Sequence, residues 1–330
     1  MKRYQQVLTR YSTFFILFGL VVLFSFVSGR FLTVSNLLNV VQQSATLGLV
    51  AIGVTLAIIM GGIDLSGGSL VALTGALVAG FMTRNGLPPA AAILITVAAG
   101  AAIGAFNGVV IVKGKLQPFV QTLAMLAIAR GLTLLYTQGR PISGLDPSFT
   151  VLGSRIGPVP VGGIIFIGVA VIAHIVLKYT PFGAHIYAIG GNEETARLAG
   201  IRVKTIKTIV YAISGAAAAI GGIVLTARLW SAQPQAATGL ELQAIAAVIL
   251  GGTSLLGGEG SIPGTVAGAL IIGVLSNGLN LAGVSSYMQQ VITGSIFIAA
   301  VILDLWTKRR AQLEGSVTSS AGASSGGGEE

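Results

Sequence analysis

Groups able to do covalent or metal chemistry are scarce in this chain. Cysteine is absent, which removes disulfides, thiolate metal sites and cysteine nucleophiles. The two histidines, His174 and His185, are too few for a histidine metal cluster. No nucleophile–base pair is visible either, so an enzyme is not expected. A phosphate-binding loop needs G-x-x-x-x-G-K-[ST], because its glycines expose amides and its lysine reaches phosphate. The Gly-Lys pair here, Gly114-Lys115, has Val109 at the first glycine position and Leu116 at the hydroxyl position. ATP, if used, is therefore expected to be hydrolysed elsewhere. What remains are charges and amides in apolar surroundings: Asp64, Asn107, Gln121, Arg130, Asn277, Asn280, Gln289 and Gln290. A charge at membrane depth is costly and marks a functional position by default. Asp64 can equally sit at an interface, Arg130 can snorkel or pair within a bundle, and the amides can bond between helices.

The elements that must hold these groups are dictated by composition. Of 330 residues, 53% are hydrophobic and 9% charged, with a mean hydropathy of +0.88. Soluble domains carry about 25% charged residues, so lipid must be the solvent for most of the chain. Ten apolar spans are predicted near 13–29, 40–60, 69–83, 89–112, 117–136, 161–177, 206–227, 242–256, 262–282 and 287–306. Their continuous rather than alternating apolar runs read as helices, not barrel strands. The first follows Lys2, Arg3 and Arg10 but lacks a clean small-x-small cleavage site, so it is read as a retained helix.

With the N-terminus inside, thirteen of the 19 basic residues fall in cytoplasmic segments, among them Lys113, Lys115, Arg197, Arg202, Lys204, Lys207, Lys308 and Arg309. Five fall outside, namely Arg30, Arg84, Arg140, Arg155 and Arg228, leaving Arg130 within a span. This asymmetry predicts ten spans with both termini cytoplasmic. It also explains the net charge of +9 without invoking nucleic acid. Residues 1–310 form one membrane domain, and 311–330, rich in Ser and Gly, is expected to be a disordered cytoplasmic tail.

Residues 192–201 read as a short cytoplasmic helix. Asn192 is a suitable N-cap, Glu193 and Glu194 suit the positive end of the dipole, and Glu193 stands four residues before Arg197. Ala196, Leu198 and Ala199 complete it, and Gly200 can end it in a left-handed turn. Geometry alone leaves two readings, a capped connector or a docking element. The basic run Arg202, Lys204 and Lys207 behind it reads as a topology determinant. Two breaks share the pattern GGxxLxGG, at 61–68 and 251–258. Irregular backbone at membrane depth persists only where protein or a watery cavity receives it. The pair therefore marks a translocation path or two tight surface turns.

Taken together and in order, several segments resemble one family. They are Gly61-Gly62-Ile63-Asp64-Leu65-Ser66, Ala129-Arg130-Gly131-Leu132 with Gly139-Arg140-Pro141-Ile142, and Tyr187-Ala188-Ile189-Gly190-Gly191-Asn192. They continue through Ala196-Arg197-Leu198-Ala199-Gly200-Ile201, Ala247-Val248-Ile249-Leu250-Gly251-Gly252-Thr253-Ser254-Leu255 and Asn277-Gly278-Leu279-Asn280. Over about residues 10–306 the chain resembles the permeases of ribose-type sugar ABC importers, which are related more distantly to branched-chain amino-acid permeases. Gly67 departs from the valine usual in that family's GGIDLSVGS, and Ala184 from a common arginine.

The resemblance implies an all-α polytopic membrane protein with a type II ABC importer-like permease fold in the bacterial cytoplasmic (inner) membrane. It implies a second permease subunit, a cytoplasmic ABC ATPase (two chains or one tandem chain) carrying ATP and Mg, and a periplasmic sugar-binding protein. Residues 192–201 match the family's coupling helix, and alternating access is the implied mechanism, with Asp64, Asn107, Gln121, Arg130, Asn277 and Asn280 as candidate pathway residues. The substrate is expected to be a pentose or related monosaccharide. A nucleoside, a branched-chain amino acid or a sugar-like signalling molecule stand as alternatives. A stand-alone secondary carrier is a further rival, although coupled carriers keep several acidic groups at midplane and Asp64 is alone here.

Overall fold

The computed structural model describes residues 2–299 together with 301 and 302, with side chains from Thr13 onward. Expectations for Lys308, Arg309 and the 311–330 tail lie outside the described residues. Each of the ten predicted spans contains a helix. They are α1 (Lys2–Val27), α2 (Val34–Ile59), α3 (Gly67–Thr83), α4 (Pro89–Gly114) and α5 (Pro118–Thr137). After the 138–160 connection, with its one-turn α6 (Pro147–Thr150), come α7 (Val161–Tyr179), α8 (Pro181–Gly191), α9 (Glu193–Leu198) and α10 (Val203–Leu229). The chain continues through α11 (Leu240–Leu250) and α12 (Ile262–Leu281) to a final helix, α13, over residues 286–299. Six helices, α2, α4, α5, α7, α10 and α12, are long and apolar enough to cross a bilayer.

Local sequence explains the helix boundaries. Proline occupies the first turn of α4, α5, α8 and α12, where its missing N–H costs no hydrogen bond. Thr180 and Ser261 cap α8 and α12 through side-chain oxygens that accept from Gly183 N and Gly264 N. At its C-terminal end, α2 closes with Gly61 at φ +83° and a bond from Gly62 N to Ala57 O, the left-handed turn that glycine adopts without steric cost.

Helices α2 and α10 form the centre, and α10 packs against α2, α3 and α4. Gly100, Gly104 and Gly108 recur every fourth residue on α4. A Cβ at each would lie 2.1–2.6 Å from α10 atoms at Gly215, Ala219, Tyr211 and Thr208. Such small-residue stripes allow helix axes to approach where lipid gives no hydrophobic drive to associate. The rim is apolar and exposed, with Leu94 and Phe106 on α4, Leu132 and Leu135 on α5 and Ile172 on α7. Polar groups turn inward, the arrangement expected when the surrounding solvent is hydrocarbon.

Several features depart from a simple reading of the apolar runs. The eighth span, predicted over 242–256, ends as a helix at Leu250. Its 11 residues extend about 17 Å, half the hydrocarbon thickness. Residues 231–239, read as outer loop, are non-helical. They begin beside the 137–160 segment, where Ala232 and Ile142 exchange backbone bonds of 2.9 and 3.0 Å, and run into the bundle until Ala237 O faces Gly68 at the start of α3. The two GGxxLxGG segments share letters but adopt different backbones. Gly61 matches Gly252 as the left-handed terminator, one register off, and Gly67 and Gly68 open α3 while Gly257 and Gly258 are left-handed turn residues. The segment at 137–160, between α5 and α7, carries short regular elements. It holds Phe149 fully buried and an antiparallel hairpin pairing Arg155–Ile156 with Val159–Pro160.

Candidate functional site

The helix predicted at 192–201 forms as α9. Asn192 Oδ1 accepts from Thr195 N at 2.8 Å, and Gly200, at φ +83°, ends it with bonds from Gly200 N to Arg197 O and Ile201 N to Ala196 O. The acid–base pairing differs from the i,i+4 expectation. Arg197 pairs with Glu194 three residues before it, and Glu193 reaches across to Lys207 Nζ at 2.6 Å. Lys207 thus ties α9 to the first turns of α10. The hydrogen bond from Arg197 to Glu194, and that carboxylate's charge, raise the Arg197 guanidinium pKa above its ordinary value. Only Ala196 is turned inward, and Leu198 stands 78% exposed beside exposed Ala199 and Gly200. One face is thus an apolar knob between charged flanks.

Directly behind α9, three stretches of main chain meet at glycines. A Cβ at Gly190 would lie 1.8 Å from Ile59 O and 2.6 Å from Gly258 N. Gly258 N donates to Ile59 O at 2.8 Å, and a Cβ at Gly257 would lie 3.0–3.1 Å from Gly190 O and from Gly61. Tyr187 of α8 donates from its hydroxyl to Gly260 O at 2.7 Å. The end of α8, the end of α2 and the 251–261 break therefore touch backbone to backbone.

Deeper in the bundle, three predicted polar residues join one network. Asp64 Oδ1 accepts from Ser66 N at 2.9 Å and Ser66 Oγ at 2.6 Å, and its Oδ2 accepts from Ser214 Oγ at 2.7 Å. Asn107 Nδ2 donates to Ser66 Oγ at 3.3 Å, and Gln121 Nε2 donates to Asn107 Oδ1 at 3.2 Å. The network links the α2–α3 break to α10, α4 and α5, and Asp64, Ser66 and Asn107 are at most 1% exposed.

The other candidates stand apart. Half-buried Arg130 donates to Pro234 O at 2.9 Å and Ala236 O at 3.0 Å, satisfying carbonyls of the non-helical 231–239 stretch. Asn277 on α12 exchanges amide bonds of 2.8 and 3.0 Å with Asn36 on α2. Asn280 Oδ1 accepts from Gln289 at 2.8 Å. The six candidates therefore lie in four places rather than along one line.

Sequence reasoning passed over Asn36, Ser66 and Ser214, the partners that close these networks. Serines in glycine-rich runs look like packing residues, and only their distance to Asp64 reveals their role. Among the described residues no group of three His, Asp or Glu could hold a metal. His174 sits edge-on to Tyr179.

Comparison with known proteins gives a consistent result. Residues 36–301 match the family described as "Branched-chain amino acid transport system / permease component". The ribose import permease protein RbsC of Bacillus subtilis (strain 168) is 47% identical over 302 residues, covering 90% of this chain and 93% of its own. Its namesake from Escherichia coli (strain K12) is 47% identical over 296 residues, 86% and 90% of the two chains. The D-allose transport system permease protein AlsC of Escherichia coli (strain K12) is 42% identical over 299 residues, 89% and 91%. No solved structure matches the chain.

Proposed function

The chain belongs to the family of permease components of branched-chain amino acid transport systems, and on that premise we propose that it is the membrane-spanning subunit of a sugar ABC importer. It is a multi-pass membrane protein and a transport subunit, not an enzyme. Relatives named for ribose and allose, at 42–47% identity over most of both chains, favour a monosaccharide over the amino acids of the family's title.

The observation that carries the mechanism is α9, capped, exposed at Leu198 and seated on the glycine junction. In this reading α9 is the coupling helix, and Leu198 enters a groove of a separate ATPase that holds ATP and Mg. Closure of the ATPase pushes α9, and the push passes through Gly190 to the ends of α2 and α11. A ligand shifts such an equilibrium only by binding one state better than the other. ATP does so at the inner face, and a loaded periplasmic binding protein does so at 137–160. Two copies enclose the pathway, each with ten spans in a type II importer-like fold and both termini in the bacterial cytoplasm. Residues 1–310 form the permease domain, followed by a cytoplasmic tail.

Reconstitution tests the reading. Proteoliposomes holding the permease, its ATPase and its binding protein should import D-ribose or D-allose with ATP, and the permease alone should not. Leu198→Asp should leave insertion intact and abolish sugar-stimulated ATP hydrolysis. Uptake by the permease alone, or unchanged coupling in Leu198→Asp, overturns it.

A further inference from the structure

A cavity of about 270 Å³ lies between α2, α10, α11 and α12, away from the Asp64 network. Six polar side chains face it: Gln43, Ser44 and Thr46 from α2, Arg228 from α10, Gln243 from α11 and Ser276 from α12. Ser44 and Thr46 are 1% and 5% exposed, and the hydroxyl of each is buried without a hydrogen-bond partner. Most buried polar atoms are paired, so two unpaired hydroxyls among the lining residues call for a ligand or solvent. Gly273, also on the lining, leaves room for the Ser44 hydroxyl, since a Cβ there would lie 1.9 Å from Ser44 Oγ.

The chemistry of the wall narrows the occupant. Hydroxyls and carboxamides both donate and accept, and Arg228 adds a planar fork of donors. No carboxylate lines the cavity, which disfavours a cation. An anion would meet the acceptor oxygens of Gln43 and Gln243 as well as the donors. A polyol, with alternating donors and acceptors, matches the whole wall. The volume is at the lower end of small-molecule sites, about 300–1,000 Å³. Water fills such a cavity at about 30 Å³ per molecule, and sugar hydroxyls replace it with little change in bonding. Binding that is easily reversed suits a transit site.

We propose that this cavity is a way station for one neutral monosaccharide within each protomer, held by Ser44, Thr46, Gln243 and Arg228. The inference rests on the sugar-importer reading above and adds to it a place within a single subunit. Because the chain has no cysteine, Ser276→Cys creates its sole thiol at the cavity wall, and Gln43→Cys supplies a second position should the first variant fail to fold. In the full reconstituted transporter, D-ribose or D-allose should slow maleimide labelling of that thiol, and inorganic phosphate or L-leucine should not. Adding Thr46→Val should raise the half-protecting sugar concentration about fivefold, the equivalent of one hydrogen bond. Import of either sugar without any protection overturns the way station and leaves the importer reading standing. Protection by phosphate alone reassigns the cavity to anions. Failure of the wild-type complex to import either sugar removes both readings.

Discussion

Two polar regions lie within this bundle, and they are built on opposite terms. Around Asp64 each carboxylate oxygen has a partner, and the contacts run on from Ser66 through Asn107 to Gln121. Around Arg228 the side chains converge on open space, and two buried hydroxyls have no protein partner. A buried network whose members satisfy one another rigidifies a core. A wall of unanswered donors and acceptors holds something that is not part of the chain. The sequence-level search favoured the first region because it contains an acid in apolar context, yet the second is the one prepared for a visitor.

Stability measurements should separate the two, beginning with the largest effect. Asp64→Leu leaves Ser66 N, Ser66 Oγ and Ser214 Oγ without their acceptor, at about 1–3 kcal/mol each, and should abolish the folded subunit in mild detergent. A stable Asp64→Leu protein would break the distinction. Ser214→Ala removes one bond to the carboxylate and should lower unfolding stability by about 2 kcal/mol, with sugar preference unchanged. Thr46→Val keeps the shape and deletes an unpaired hydroxyl, so stability should change by less than about 0.5 kcal/mol. Its effect should appear instead as a severalfold higher KM for uptake. Arg84→Ala, remote from both regions, removes a contact 4.9 Å from the Tyr136 ring centroid and should cost about 0.5–1 kcal/mol with uptake kinetics unaltered. Equal stability losses for Ser214→Ala and Thr46→Val would erase the contrast.

Much of the fold was legible because apolar runs are local signals. Helices occur in all ten predicted spans, and the cap at Asn192 and the stop at Gly200 lie where side-chain chemistry requires them. What stayed hidden depends on distant neighbours. Nothing in Gln233-Pro234-Gln235 says that the stretch enters the bundle, because its carbonyls are answered by Arg130 more than 100 residues earlier. The pairing of Glu193 with Lys207 rather than Arg197 depends on how α10 leaves the loop. Gln43, Ser44 and Thr46 look like ordinary polar residues on a helix until α10, α11 and α12 are set around them. The GGxxLxGG likeness shows the complementary limit: identical letters are placed in different backbone roles by their surroundings.

The meeting of Gly190, Gly258 and Ile59 has a mechanical consequence. Elsewhere in a protein, flexible side chains act as shock absorbers between moving parts, and a small displacement is lost in rotamer changes. Here main chain rests on main chain, with no cushion to compress. Any shift of the end of α8 must be passed on at once to two other strands of backbone, or the contact must open.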